Sequence, residues 1–412
     1  MMRFFQSGVW QNRPFLHLWS AQTVSLVGTA VSFLALPLTA VLVLDATPTQ
    51  MGILTAIGSL PALVLGLFAG VVVDRRRKRP LMIIADVGRG GLLLLIPILA
   101  WAGVLHIVHL YVIGLLVGTL TLFFNVAYRA YLPVLVADDE LVEANSKLEL
   151  SRTVAEIAGP SLAGALIQLL TAPIAMGLDA LSFFVSGAFL GKIELEEAPP
   201  SSPMQQEGVW KSIREGVSLV WANRTLRSIA GSSASLNFFN AMLEAVLILY
   251  LTNQLGIEPG LQGIIFATGS VGFLLGAMFT DRLTRRWGND RSLIIGIALT
   301  ALGDLLVPLA AGSKLMIVLM LIVAQPLFGF GLTLFNINQI SLQQAVTPSD
   351  MMGRVNATMR FVMAGLIPLG ALAGGLLGDQ IGLRSTLFIA VVGEFAGIFW
   401  FVFLHGRMSK YG

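Results

Sequence analysis

The chemistry available to this chain rests on a few ionisable side chains inside long apolar segments. Glu244 lies in such a segment, and no cation stands one turn before it or one turn after it. An ionisable residue inside a membrane span is by default functional. Because burial favours the protonated form of a carboxyl group, such an acid can bind and release a proton. Glu244 is therefore the candidate for proton coupling; the alternative is a structural acid hydrogen-bonded to Asn237 or Asn240.

A second set of charges occurs twice. Asp74 ends an apolar run and is followed by five cations at 75–79, and Asp281 also ends an apolar run and is followed by Arg282 and further arginines. Short loops rich in Lys and Arg stay on the cytoplasmic side of a membrane, which predicts that both are turns at inner helix ends. An acid at a helix C-terminus is unfavourable unless it is paired. Two alternatives stay open for Asp74: solvation by a neighbouring arginine, or a latch to another helix.

The composition predicts an integral membrane protein. Of the 412 residues, 56% are hydrophobic and 12% are charged, whereas soluble domains carry about 25% charged residues. The net charge of +3 is assigned to the inside loops, so no nucleic-acid partner is expected. The chain has no cysteine, which excludes disulfides and thiolate metal sites. No Walker loop, nucleophile elbow or H-E-x-x-H motif occurs, so neither an enzyme nor a cofactor is predicted.

Apolar windows long enough to cross a bilayer occur twelve times. Of the 26 Lys and Arg residues, only Lys314 and Arg384 fall in or beside the predicted outside loops. This asymmetry places both termini in the cytoplasm and predicts a multi-pass protein of the cytoplasmic membrane. The predicted windows are 14–43, 50–73, 81–103, 108–131, 144–170, 172–192, 225–252, 259–280, 291–311, 315–340, 355–377 and 385–404.

The two halves of the chain align with each other. Asn12 matches Asn223 at a separation of 211 residues, and Gly66 matches Gly272 at 206, which predicts that the eighth span is about one turn shorter than the second. A parallel repeat of six spans predicts two pseudo-symmetric bundles around a midplane cavity. The predicted domains are an N-terminal bundle, a cytoplasmic linker with an amphipathic helix, and a C-terminal bundle, at 1–192, 193–224 and 225–412.

The predicted linker helix has an apolar face that includes Trp210, Ile213, Val217 and Val220. Two interpretations stay open. The helix lies on the inner leaflet of the membrane, or it docks on the bundle as a plain linker.

Several motifs resemble the major facilitator superfamily. The acid-then-arginine turns and the twelve spans are similar to that superfamily, and Gly159 to Gly164 resembles the G-P-x-x-G-G element of its antiporters. Other segments resemble its drug-exporter branch, which includes macrolide and siderophore efflux proteins. They are N-R-P-F-L-H-L-W (12–19), A-D-V-G-R (85–89), Y-L-P-V-L-V (131–136), L-V-E-A-N-S (141–146), L-D-A-L-S-F (178–183) and R-E-G-V-S-L-V-W-A-N-R-T-L-R (214–227).

The resemblance implies an all-α membrane protein with twelve helices in two six-helix bundles, in which the first, fourth, seventh and tenth spans line the cavity. Uncharged amides beside aromatic rings suit an amphipathic ligand; the alternative is that these side chains face lipid or pack. The cavity candidates are Gln22, Thr29, Asn125, Tyr128, Asn237, Phe238, Asn240, Asn336, Asn338 and Gln339.

Charged residues at inner helix ends are the candidates for a gate. Arg129 is expected to meet Asp74 and Glu156, and breaking such pairs would favour the inward-open state. The full set of gating candidates is Asp74, Arg75, Arg129, Glu156, Asp281, Arg282 and Arg360. Asp86 and Arg89 are spaced to pair with each other, and Asp179 is expected to fix a helix contact. Asp304 and Glu394 fall on spans that the resemblance places at the periphery, and they receive no role.

The resemblance and the residues together predict a secondary active exporter of amphipathic small molecules, such as drugs, macrolides or siderophore-like compounds, by proton antiport through alternating access. Its expected partners are the substrate, protons and membrane lipids, and a monomer is expected. Two rivals stay open: a lipid or lysolipid flippase of the same fold, and a non-transporting membrane sensor or scaffold.

Overall fold

Helices make up the regular structure of the described part of the chain. The computed structural model describes residues 8–195, 197 and 209–405, with only the backbone described at 67, 209–213 and 403–405. Twelve helices are long and apolar enough to cross a membrane, which confirms the predicted number of spans. The helices are α1 (Arg13–Leu44), α2 (Pro48–Asp74), α3 (Lys78–Trp101), α4 (Ile107–Leu135), α5 (Leu141–Leu170), α6 (Ala172–Gly191), α7 (Val209–Ala222), α8 (Arg224–Leu249), α9 (Pro259–Trp287), α10 (Asn289–Leu309), α11 (Lys314–Val346), α12 (Met352–Ile381) and α13 (Leu383–His405).

The repeated Asn-Arg pair starts equivalent helices. The Asn12 side chain caps α1 by accepting a hydrogen bond from Phe15 N (3.0 Å), and Asn223 caps α8 by accepting from Thr225 N (2.9 Å) and Leu226 N (3.1 Å). A side-chain oxygen at this position satisfies backbone N–H groups that the first turn leaves free. The sequence repeat is therefore also a repeat of helix starts.

The junction between the last two helices of each half repeats as well. Thr171, between α5 and α6, has φ 98° and ψ 155°, and Gly382, which lies 211 residues later between α12 and α13, has φ 87° and ψ 156°. Only glycine adopts this backbone region without steric cost. The first half thus places a β-branched residue where the second half has the glycine that the turn requires.

Thr171→Gly is expected to stabilise the protein. Relief of the strain is worth about 1–3 kcal/mol, and the greater freedom of glycine in the unfolded chain offsets about 0.5–1 kcal/mol of it. The apparent melting temperature of the purified protein should therefore rise. The matched substitution Gly382→Thr should lower it. A Thr171→Gly protein that melts at or below the wild-type temperature would show that the junction is not strained.

The second acid-then-arginine segment is not a turn, which corrects the prediction. α2 does end at Asp74, and residues 75–77 form the turn before α3. In the second half, α9 continues through Asp281 and ends at Trp287. Two effects extend it: Arg285 pairs with Asp281 (Nε–Oδ1 3.0 Å) at i,i+4 spacing, and cations in the last turn suit the helix dipole. α9, at 29 residues, is therefore longer than α2, at 27, and the predicted shortening is wrong.

Contacts between residues divide the chain into two compact units. The first comprises Met1–Ala46 and Leu60–Met204, and the second comprises Thr47–Ser59 and Gln205–Gly412. The first has a core that includes Phe15, Met82 and Tyr131; the second has one that includes Ile297 and Phe335. The predicted boundaries at 1–192, 193–224 and 225–412 stay a prediction, since the contacts group the first turns of α2 with the second unit.

The linker helix α7 docks on α12 within the second unit. An added Cβ at Gly216 would lie 2.6 Å from Arg354 O, and the Glu215 carboxylate pairs with the Arg354 guanidinium. Val220 is buried, whereas Trp221 remains 64% exposed. The helix α7 therefore docks on α12, and the exposed indole of Trp221 leaves the inner-leaflet interpretation open. The predicted roles of Trp210 and Ile213 fall on side chains that lie outside the described part.

Candidate functional site

Glu244 is the exposed position in a buried stretch of α8. From Ala241 to Leu249 all residues except Glu244 are buried. The burial of its neighbours fixes the helix, while the exposure of Glu244 leaves its carboxylate in contact with whatever fills the space beside this face. No described Lys, Arg or His contributes to the electrostatic surroundings of this carboxylate. Proton exchange or ligand contact by Glu244 stays a prediction.

Two glycines of α12 hold α8 in this orientation. An added Cβ at Gly370 would lie 2.0 Å from Phe238 O, and one at Gly374 would lie 2.2 Å from Met242 O. The backbones of the two helices touch here, as small residues on one helix face allow. A turn of α8 about its own axis would break this contact, so the glycines set the direction in which Glu244 points.

The other candidates on α8 are half-buried polar and aromatic side chains. Asn237 donates from Nδ2 to Ser233 O (2.9 Å), which leaves its amide oxygen available. Phe238 meets Phe239 edge to face, with ring centroids 5.0 Å apart. Asn240 faces Glu394. The predicted alternative for Glu244, a hydrogen bond to Asn237 or Asn240, is not among the contacts of the described residues.

In the first unit the four cavity candidates are at least partly accessible. Thr29 and Asn125 are exposed, and Gln22 and Tyr128 are half-buried. The Tyr128 ring stacks parallel to Phe124, with centroids 6.3 Å apart. The Gln22 Oε1 atom is buried and has no hydrogen-bond partner in the described part of the chain. An acceptor in that state favours a ligand with a donor group, and the substrate role of these residues stays a prediction.

On α11 the three candidates differ from one another. Asn336 is exposed. Asn338 is buried; it accepts from Thr284 Oγ1 (2.8 Å) and donates to Leu334 O (2.8 Å). Gln339 is also buried. The hydrogen bond from Thr284 to Asn338 joins α9 to α11, which favours a packing role for Asn338. Substrate contact by all three candidates stays a prediction.

The gating candidates are exposed in this structure. Glu156 bonds Arg152 (Oε1–Nε 2.8 Å), and Asp281 bonds Arg285; both partners lie one turn away on the same helix. Exposed pairs of this kind contribute little to stability. The remaining exposed candidates, whose predicted gating contacts stay predictions, are Asp74, Arg75, Arg129, Arg282 and Arg360.

A buried charge cluster lies inside the first unit, between α1, α3, α4 and α6. Asp86 pairs with Arg89, as the spacing predicted, and accepts a hydrogen bond from Ser186 Oγ (2.6 Å). Asp179 accepts from Ser32 and from Ser182 Oγ (3.0 Å), which confirms that it fixes a helix contact. The Arg89 guanidinium also lies over the rings of Phe124 and Phe183, at 4.4 Å and 4.1 Å from their centroids. We call Asp86, Arg89 and Asp179 the first-unit charge cluster.

The comparisons with known proteins agree with this architecture. A family model described as transmembrane secretion effector, of the major facilitator superfamily, matches residues 9–410. The chain belongs to this family. This major facilitator protein is 28% identical over 381 residues to "Multidrug efflux pump Tap" of Mycolicibacterium fortuitum, which covers 90% of this chain and 91% of the relative. It is 25% identical over 387 residues to "Uncharacterized MFS-type transporter YfiS" of Bacillus subtilis, covering 92% and 89%.

A solved structure shares the fold. The inward-facing crystal structure of a bacterial homologue of the iron transporter ferroportin matches the major facilitator chain with a TM-score of 0.78 and 16% identity, and the match covers 95% of this chain and 98% of that one. At this identity the likeness shows the fold alone. The chain is a multi-pass transporter of the major facilitator superfamily rather than an enzyme.

Proposed function

We propose that this transporter exports amphipathic small molecules in exchange for protons, by alternating access of the substrate to the two membrane faces. The proposed substrates are drug-like, macrolide-like or siderophore-like compounds, and the proposed working form is a monomer with both termini in the cytoplasm. The substrate class is supported by Tap, a relative named for multidrug efflux, and by the accessible amides and rings on α1, α4 and α8.

The proposed coupling to protons is supported by the position of Glu244. It is an exposed acid in a buried stretch of α8, no cation among the described residues acts on it, and backbone contact with Gly370 and Gly374 fixes its direction. An acid without a permanent counter-ion is free to bind either a proton or a cationic group of the substrate. Competition between the two on one carboxylate is sufficient to couple their movements.

Transport in proteoliposomes tests the proposal. The full chain, reconstituted with ethidium or erythromycin as probe, should accumulate the probe on the acidic side when a pH gradient is applied. One coupled proton allows up to about a tenfold accumulation ratio per pH unit, because one pH unit corresponds to about 1.4 kcal/mol. Glu244→Gln should abolish this gradient-driven accumulation and retain exchange of labelled for unlabelled probe at equal pH.

Glu258→Gln is the matched control within the second unit. Glu258 is exposed and bonds Lys314 (Oε1–Nζ 2.5 Å), a hydrogen bond that lowers the pKa of Glu258. This acid stays ionised at working pH, so its replacement should leave both assays at the wild-type level. Gradient-driven accumulation that persists in Glu244→Gln would remove Glu244 as the carrier. A wild-type chain that moves neither probe would contradict export of amphipathic compounds.

A further inference from the structure

Two buried carboxyl groups face each other inside the second unit. Asp304 lies on α10 and Glu394 on α13; they are 4% and 0% exposed. The two side chains lie within hydrogen-bonding reach of each other, and Glu394 also faces Asn240 of α8. Yet both oxygens of Glu394 and Oδ2 of Asp304 are buried without a hydrogen-bond partner in the described structure. Two ionised carboxylates only accept hydrogen bonds, so neither can satisfy the other.

No permanent charge in the described part of the chain compensates this pair. Among the described residues, the one titratable group that acts on Asp304 is Glu394, and the one that acts on Glu394 is Asp304. The helix α8 contributes the neutral Asn240. The helices α9, α11 and α12 also pack against α10 or α13, and their described residues contribute no titratable group. Two adjacent carboxylates in a medium of low dielectric constant cannot both stay ionised. A positively charged species must therefore bind to the two carboxyl groups.

In the first-unit charge cluster, two buried acids are compensated by a fixed positive charge. This cluster also joins an acid on its third span, Asp86, to an acid on its sixth, Asp179. There Arg89 supplies a fixed positive charge, and serine hydroxyls donate to both acids. The second unit places Asp304 and Glu394 on the equivalent third and sixth helices of its half, without the arginine. The place that the Arg89 guanidinium takes in the first-unit charge cluster is therefore available to a mobile positive ion in the second unit.

A proton fits this position better than a metal ion. Divalent Ca²⁺ and Mg²⁺ take about six or more oxygen ligands, whereas this pair brings two carboxyls and one amide, and no three acids, histidines or cysteines among the described residues are placed so that they could hold a metal ion together. One proton turns one carboxyl into a donor, so that a single O–H···O bond satisfies both groups.

We propose that Asp304 and Glu394 share one proton and form a second proton-binding site, which releases and rebinds its proton during the transport cycle. Access lies on the α8 side. Asn240, which faces Glu394, is half-buried rather than buried, and it stands one turn before Glu244 on the same helix. The role in the cycle rests on the proposed proton antiport, whereas the proton site itself does not.

Infrared spectroscopy of the full chain in lipid tests the proton site. The carbonyl stretch of a protonated carboxyl, identified by its shift in D₂O, should persist in the wild type at a pH that ionises exposed acids. Measured in a Glu244→Gln background, which removes the other proposed proton-binding carboxyl, both Asp304→Asn and Glu394→Gln should change this band, because the proton belongs to both groups, and the double variant should lose it. Glu258→Gln should leave the band as in the wild type. A band that survives the double variant, that only one single variant changes, or that disappears when sodium is added overturns the proposal.

A second measurement keeps the test valid if the double variant does not fold. In Glu394→Gln, the introduced amide has the shape of the protonated acid and can donate a hydrogen bond to Asp304, so the fold should be retained. The wild-type melting temperature should fall as rising pH removes the shared proton, and this fall should be smaller in Glu394→Gln. The same pH dependence in both proteins would contradict a shared proton.

Transport separates this proposal from the proposed function. Glu394→Gln should lose the gradient-driven accumulation of ethidium, about tenfold per pH unit for one coupled proton, and retain equal-pH exchange. If accumulation is unchanged while the infrared band is altered, the proton site stands and its role in the cycle is wrong. If the wild type moves no ethidium, the proposed function fails, and the infrared result alone decides the proton site.

Discussion

Arg89→Met should lower the free energy of unfolding by about 3–5 kcal/mol, because removing one partner of a buried ion pair leaves the other charge uncompensated. Arg89 is 3% exposed and pairs with Asp86, which is fully buried. It also lies over Phe124 and Phe183. Methionine keeps much of the side-chain volume and the contact with the rings, so the loss reports the charge. Thermal and denaturant unfolding of the purified protein measure it.

The matched control is Arg152→Met on α5. The Arg152 side chain is 53% exposed and also pairs with acids on its own helix, and an exposed pair is worth about 0–1 kcal/mol. A double variant, Arg89→Met with Asp86→Leu, should recover part of the stability, since an apolar pair can replace a buried ion pair at little cost. Equal losses for Arg89→Met and Arg152→Met would contradict the role assigned to the first-unit charge cluster.

Local spacing explains which contacts could be predicted from the sequence. Asp86 and Arg89 are three residues apart on one helix, so their pairing follows from helix geometry. The caps at Asn12 and Asn223 follow from residue type and position. By contrast, the Ser32–Asp179 contact joins residues 147 apart and depends on close packing of α1 and α6. That packing requires Gly28, where an added Cβ would lie 2.2 Å from Asp179 Oδ1.

Asp304 and Glu394 show the same limit more sharply. Each is a lone acid in its own span, and nothing in the sequence near either residue points to the other. Only the packing of α13 against both α8 and α10 brings the two carboxyls and Asn240 together. The wrong prediction at Asp281 has the opposite origin. There the sequence repeat suggested a second turn, but the pairing of Asp281 with Arg285 lets the helix continue.

The close contact between α8 and α12 predicts a large effect of one methyl group. Gly370→Ala would place a Cβ 2.0 Å from Phe238 O, whereas favourable contacts between heavy atoms lie at about 3.5–4.0 Å. Because the obstacle is backbone, no side-chain rotation relieves it, and the helices must separate by more than about 1 Å. Overpacking of this kind lowers the free energy of unfolding by about 1–3 kcal/mol. The same displacement moves Asn240 and Glu244 together, so gradient-driven accumulation should fall as well.

Gly353→Ala on the same helix is the matched control. An added Cβ at Gly353 meets nothing within 4 Å, and alanine is favoured over glycine inside a helix by about 0.5–1 kcal/mol. This variant should therefore melt at or above the wild-type temperature and transport normally. If Gly370→Ala melts like Gly353→Ala, α8 and α12 do not touch through their backbones in the membrane. If Gly370→Ala is destabilised but still accumulates the probe normally, the contact between α8 and α12 does not control the direction of Glu244.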